Sequence, residues 1–206
     1  VTQQNINGNK PEIMISGIGY GKTNTNNDGY PKFIEIYALE DADLREYRMY
    51  DNRTSDYYYN YGWGFYQNNI QMKKGERLLL YYTKNDADTF FGSDINELYD
   101  HTLYSPYLYI TMRNNGSDSY TLYHSTYGYF DRVGPYGNAS LNYDDGWLYR
   151  KSGSLPKLTQ DPDEWTVCKD CLESSTNATA GTPFPLKTFT SGYTGGFDFV
   201  YDKDSL

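Results

Sequence analysis

Tyrosine is the commonest large side chain in this sequence, with 25 copies against nine Phe and three Trp. A core built from it must bury rings of about 150–250 Å² each while every phenolic hydroxyl keeps a partner or water. Hydrophobic residues make up only 38% of the chain, below the roughly 45–50% of ordinary domains, so rings must supply much of the core. A disordered chain is poor in aromatics; this composition folds. The 206 residues suit one domain with tails.

Lys and Arg number 18 and Asp and Glu 27, a net charge of −9. A surface that negative disfavours anionic membranes, and no nucleic-acid partner is expected, because binding phosphate needs a local excess of cations. No membrane insertion is expected either. The longest uncharged apolar run, Leu78-Leu79-Leu80-Tyr81-Tyr82, falls far short of the roughly 20 residues a bilayer needs. The opening Val1-Thr2-Gln3-Gln4-Asn5 has neither the basic nor the apolar region of a signal peptide. The chain reads as a mature secreted protein from which a signal peptide, if there was one, is gone. Four glycosylation sequons favour the extracellular reading: Asn52-Arg53-Thr54, Asn115-Gly116-Ser117, Asn138-Ala139-Ser140 and Asn177-Ala178-Thr179. N-linked glycans are expected on at least two of these asparagines. The competing reading is chance, since an Asn-rich chain acquires sequons freely.

Strands and turns account for most of the pattern. Ile13–Ile18 is a β-prone run, and Phe33-Ile34-Glu35-Ile36-Tyr37 alternates as a half-buried strand does. Leu44, Tyr47 and Met49 mark a third segment. Arg77–Thr83 suits a strand buried on both faces, and Tyr107–Met112 alternates again. Ser119–Tyr123 and Tyr129–Val133, joined through Thr126-Tyr127-Gly128, read as a hairpin. Short strands broken by Gly, Asn, Asp and Pro indicate a sandwich or barrel. Ser93–Tyr99 is the one helix candidate. Glu35 points away from Ile34 and Ile36 and is expected to face solvent, because a buried unpaired carboxylate is expensive. Gly116 and Gly128 serve turns, and Asp131 is expected to bond turn amides.

Taken in order, these segments resemble the lamin-tail domain family. Phe33-Ile34-Glu35-Ile36-Tyr37 and Asp43-Leu44-Arg45-Glu46-Tyr47-Arg48-Met49 correspond to its early strands, and Lys74-Gly75-Glu76-Arg77-Leu78 to a turn entering an apolar strand. Asn114-Asn115-Gly116-Ser117-Asp118, Tyr120-Thr121-Leu122 and Gly128-Tyr129-Phe130-Asp131-Arg132-Val133 follow the family's most specific stretch. Asp145-Gly146-Trp147, Tyr149-Arg150 and Asp161-Pro162-Asp163-Glu164-Trp165 look like the continuation in secreted members, and Gly181-Thr182-Pro183-Phe184 stands where a Thr-Pro-Gly usually closes the domain. The resemblance covers about residues 12–186. It implies an all-β, immunoglobulin-like β-sandwich, here over residues 11–188. A polar N-terminal arm (1–10) and a Gly hinge with a C-terminal strand (189–206) are its terminal extensions.

Motifs of catalysis are absent from the sequence: no Gly-x-Ser-x-Gly, Gly-x-Gly-x-x-Gly, P-loop or His-Glu-x-x-His occurs. His124 and Ser125 are neighbours on a strand and point to opposite faces. A glycosidase needs two carboxylates at roughly 5–10 Å, and nothing singles out a pair. No enzyme is expected. Asn24-Thr25-Asn26-Asn27-Asp28-Gly29 with Glu35 copies the spacing of a calcium loop, but the first ligand is Asn and the exiting element is a strand. Asn85-Asp86-Ala87-Asp88 and Asp144-Asp145 are other acidic loops with the oxygen ligands calcium takes, and no metal or other cofactor is expected. Cys168-Lys169-Asp170-Cys171 admits a redox motif, half a zinc site with His101 and His124, or a local disulfide. In an exported chain the disulfide is expected.

Two segments point to surfaces. The run holding Tyr57, Tyr58, Tyr59, Tyr61 and Trp63 is either core and sheet face or a binding and assembly surface offering large contact area. Gly195-Gly196 precedes Phe197-Asp198-Phe199-Val200-Tyr201, where Phe197, Phe199 and Tyr201 share one strand face. That face packs on its own domain or on a neighbouring subunit, and head-to-tail donation would build a filament. The function expected is an extracellular structural or adhesive module that self-associates. The alternatives are a module binding extracellular glycans through Tyr and Trp, or an accessory domain of a secreted hydrolase.

Overall fold

Strands dominate the residues that the computed structural model describes, which are 4–5, 11–21, 31–52, 62–65, 68–105, 116–172, 176–193 and 200–201. In chain order they are β1 (Gln4–Asn5), β2 (Ile13–Tyr20), β3 (Lys32–Ala38), β4 (Ala42–Asp43), β5 (Tyr47–Asn52), β6 (Gly62–Gly64) and β7 (Gln71–Met72). There follow β8 (Arg77–Tyr81), β9 (His101–Tyr104), β10 (Ser119–His124), β11 (Gly128–Val133), β12 (Gly146–Arg150), β13 (Trp165–Cys168) and β14 (Val200–Tyr201). One sheet has the order β13-β12-β2-β3-β8-β9, and a second has β11-β10-β5-β6. The arrangement is mostly β and sandwich-like. The runs at Ile13, Phe33 and Arg77 and the hairpin closed at Gly128 stand where the sequence predicts. The expected strand Tyr107–Met112 lies outside the described residues.

Pairing aligns residues into rows that share a face. Leu148, Ile18, Ile34 and Leu80 form one such row, wholly buried in a core shared with Met49 and Leu122 of the second sheet. The opposite face carries the row Tyr149-Gly17-Glu35-Leu79, with Trp147-Gly19-Phe33-Tyr81 beside it. Here glycine makes room for rings. A Cβ on Gly19 would lie 2.2 Å from the Phe33 ring and one on Gly17 2.6 Å from Tyr149, so aromatic side chains fill what the glycines leave empty.

This second face is covered rather than wet. The parallel step from β8 to β9 needs a crossover, which two helices supply: α1 (Lys84–Phe91) and α2 (Ile95–Leu98). Helix α1 is a correction to the sequence reading, which placed a helix only at Ser93–Tyr99 and a loop at Asn85–Asp88. Its signals are local: Thr83 accepts from the Asp86 amide at the N-terminus, and Gly92 closes the other end in the left-handed region. Phe90 and Phe91 pack on Phe33, as does Phe184 from the segment 176–193. That cover runs on through Phe189 and Tyr193, both buried, so packing continues beyond the boundary expected at residue 188. Each such ring is worth about 1.5–3 kcal/mol of burial.

Candidate functional site

The largest departure from sequence expectation is Glu35, which is fully buried (0% exposed) rather than solvent-facing. The pleat does turn it away from Ile34 and Ile36, but the face it joins lies beneath the 176–193 cover. Four donors converge on its carboxylate. Ser16 Oγ and the Tyr149 hydroxyl donate to Oε1 at 2.7 and 2.9 Å, and the Tyr99 hydroxyl donates to Oε2 at 2.9 Å. The Lys187 amide reaches Oε2 at 3.3 Å. Burial, with the Glu35 charge beside it, pushes the Tyr99 hydroxyl well above its ordinary range, and Tyr149 moves the same way for the same reasons. Both therefore remain donors. Tyr149 also accepts from the Phe189 amide at 3.0 Å. Lys187 Nζ donates to the Leu98 carbonyl at 2.7 Å, and Arg77 Nη2 to the Phe189 carbonyl at 2.8 Å. Glu35 is thus the point to which the cover is pinned; Asn24–Gly29, the rest of the calcium-loop spacing, lie outside the described residues.

A second buried polar centre lies where β12 stops pairing with β2. The ladder ends at Tyr149–Gly17, and the register of β2 against β3 shifts between Ile15 and Gly17. Side chains replace the missing strand. The Ile15 amide donates to Asp131 Oδ2 at 2.8 Å, and the Ile15 carbonyl accepts from Arg150 Nε at 2.9 Å. Arg150 Nη2 donates to Asp131 Oδ1 at 2.7 Å and Nη1 to the Leu155 carbonyl at 2.9 Å. Trp165 lies over the guanidinium at 4.3 Å. Asp131 also takes the Lys157 amide, so it bonds a strand amide, a loop amide and Arg150 rather than turn amides alone. The pair is 0% and 1% exposed. Sequence reading singled out Asp131, Arg150 and Trp165 separately, and the fold brings them together.

The remaining candidate residues are dispersed. Cys168 and Cys171 form a disulfide, with Cα atoms 5.9 Å apart. His101 pairs with Glu76 at 2.8 Å. Asn138 caps a 3-10 turn, Ala139–Leu141. The Asn177 amide is bonded to the Phe184 backbone. Asn52 ends β5, opposite Ser119, and Trp63 lies on β6 opposite Met49. Asn115, Tyr57, Tyr58, Tyr59, Tyr61, Phe197 and Phe199 lie outside the described residues. Tyr201 pairs with Gln4 and Val200 with Asn5, beside β11. Sequence reading missed a tyrosine cluster on the second sheet: the Tyr50, Tyr123 and Tyr129 rings meet at 4.9–5.7 Å. The period-2 spacing of Tyr123 within its strand was the available signal.

His124 supplies a pH-dependent element. Its ring stacks on Tyr127 at 4.3 Å and meets Tyr47 edge-on at 4.9 Å. Burial lowers its pKa, opposed by Glu46. The unfolded chain then takes up the proton first, so stability falls as pH drops through the unfolded histidine value of about 6.5. One proton sets the ceiling, a slope of about 1.4 kcal/mol per pH unit. Urea unfolding at pH 7.5 and 5.5 should show this loss, and His124→Asn should remove part of it; an unchanged slope in the variant would contradict the assignment.

Comparison with protein-family models, with curated proteins and with solved structures finds no match to this chain.

Proposed function

We propose that this chain is a non-catalytic structural module of the extracellular space, an immunoglobulin-like sandwich of lamin-tail type that self-associates through its terminal strands. The observation that carries the reading is the antiparallel pairing of Gln4–Asn5 with Val200–Tyr201. A two-residue ladder is marginal alone, and each strand offers the same bonds to the matching strand of a second copy. Exchange of that element is a low-cost route to association, and a head-to-tail exchange that does not close gives a filament. The Asp131–Arg150–Trp165 centre supports the family reading, since it unites motifs that the resemblance set in order. The non-catalytic reading draws support from the two deepest carboxylates, Glu35 and Asp131, whose bonds are made to the fold itself.

Deleting residues 195–206 is the direct test. Sedimentation or light scattering should give an assembly for the intact protein and a single chain for the truncated one. Equal polymerisation of the two, or an intact protein that stays monomeric at high concentration, defeats the proposal.

A further inference from the structure

The segment Pro135–Asn138 is a β-turn, closed by the Asn138 amide donating to the Pro135 carbonyl at 2.8 Å. Gly137, at φ +68, takes the left-handed third position that a type II turn requires. Tyr136 stands at the corner, 39% exposed, and the Arg132 guanidinium lies 4.0 Å from its ring centroid. One face of the ring is therefore held by a cation, and its remaining surface lines a shallow depression with Pro135, Asn138 and Asn142. Asn138 Oδ1 accepts from the Ser140 amide at 3.2 Å and from Ser140 Oγ at 2.6 Å. That turns the oxygen toward the 3-10 turn and leaves Nδ2 on the other side, with no acceptor among the described residues. Asn177 differs: its Oδ1 takes the Phe184 amide at 2.7 Å and its Nδ2 donates to the Phe184 carbonyl at 3.3 Å. Its amide is part of the cover.

We infer that Asn138 carries an N-linked glycan whose first N-acetylhexosamine rests on the Tyr136 ring, while Asn177 stays bare. The inference builds on the extracellular reading above and assigns one site within it. In the modification, Nδ2 bonds to the anomeric carbon of an oligosaccharide carried on a lipid pyrophosphate. The carbon–oxygen bond to the pyrophosphate breaks, the lipid pyrophosphate leaves with the electron pair, and one amide proton is released. A pyranose has one face lined with C–H groups, and a flat ring two residues before the acceptor gives that face an apolar seat. The turn and Arg132 hold the ring in place beforehand, so little ordering is lost when the sugar packs.

The test is glycopeptide mass spectrometry on native protein, joined to thermal unfolding of variants made in a glycosylating eukaryotic host. Asn138 should be occupied and Asn177 unmodified. Tyr136→Ala should lower the midpoint by about 2–4 °C more in the glycosylated protein than in a Ser140→Ala background, and Tyr136→Phe, which keeps the ring, should not. Glycans on other sequons with Asn138 bare, or a glycan on Asn177, overturn this site and leave the extracellular reading intact. No glycan at any sequon of native protein overturns both. Equal Tyr136→Ala shifts in the two backgrounds overturn the seat.

Discussion

Replacing Glu35 with alanine is expected to destabilise the protein by about 3–5 kcal/mol, since each buried donor left without an acceptor costs about 1–3 kcal/mol and water entering the new space relieves part of it. The donors stranded are the Tyr99 and Tyr149 hydroxyls and the Lys187 amide, while Ser16 Oγ keeps the main-chain carbonyl of residue 35 at 3.2 Å. Against a total stability of about 5–15 kcal/mol, that is a large share. The loss should be uneven. Tyr149 links Glu35 to the Phe189 amide, so residues 184–193 should exchange their amide hydrogens much faster while β2 and β3 stay protected. Glu35→Gln should fall between the two, because its amide keeps one acceptor oxygen but turns an NH2 toward donors. Urea unfolding gives the magnitude and hydrogen exchange the location. An alanine variant within 1 kcal/mol of the parent, taken as about the scale of an ordinary substitution, would falsify the pinning role.

Arg150→Met should cost a similar amount, about 3–5 kcal/mol, because it strands the Asp131 charge in a dry site. Asp131 is 0% exposed, and its other partners are the backbone amides of Ile15 and Lys157. The second substitution decides the mechanism. If the cost is chiefly the orphaned charge, adding Asp131→Asn to Arg150→Met should recover part of the stability rather than lose more. Two single effects that simply add would show that Arg150 acts through its carbonyl bonds to Ile15 and Leu155 and that the ion pair contributes little.

These two centres mark the boundary of what could be read along the chain. The strand at Phe33 was legible because alternation has a period of two and needs only neighbouring residues, and those at Ile13 and Arg77 because a short β-prone or apolar run between turn residues is equally local. The hairpin at Gly128 was legible because its turn is local in sequence. Even the side of β3 on which Glu35 stands follows from the pleat. Helix α1 was within reach through Thr83 and Gly92, but one short turn-rich segment carries little periodicity, and its acidic residues invited a metal-loop reading.

The burial of Glu35 was of another kind. It is decided by Tyr99, Tyr149 and Lys187, which lie 64, 114 and 152 residues away in the chain. The Ile15–Asp131 bond likewise spans 116 residues. A sequence determines the period, the turns and the stock of rings, because these depend on each residue and its near neighbours. Only the tertiary structure decides whether a sheet face is wet or covered, because that depends on which distant segment returns to lie on it. The same carboxylate is a surface charge in the first case and the pin of the cover in the second.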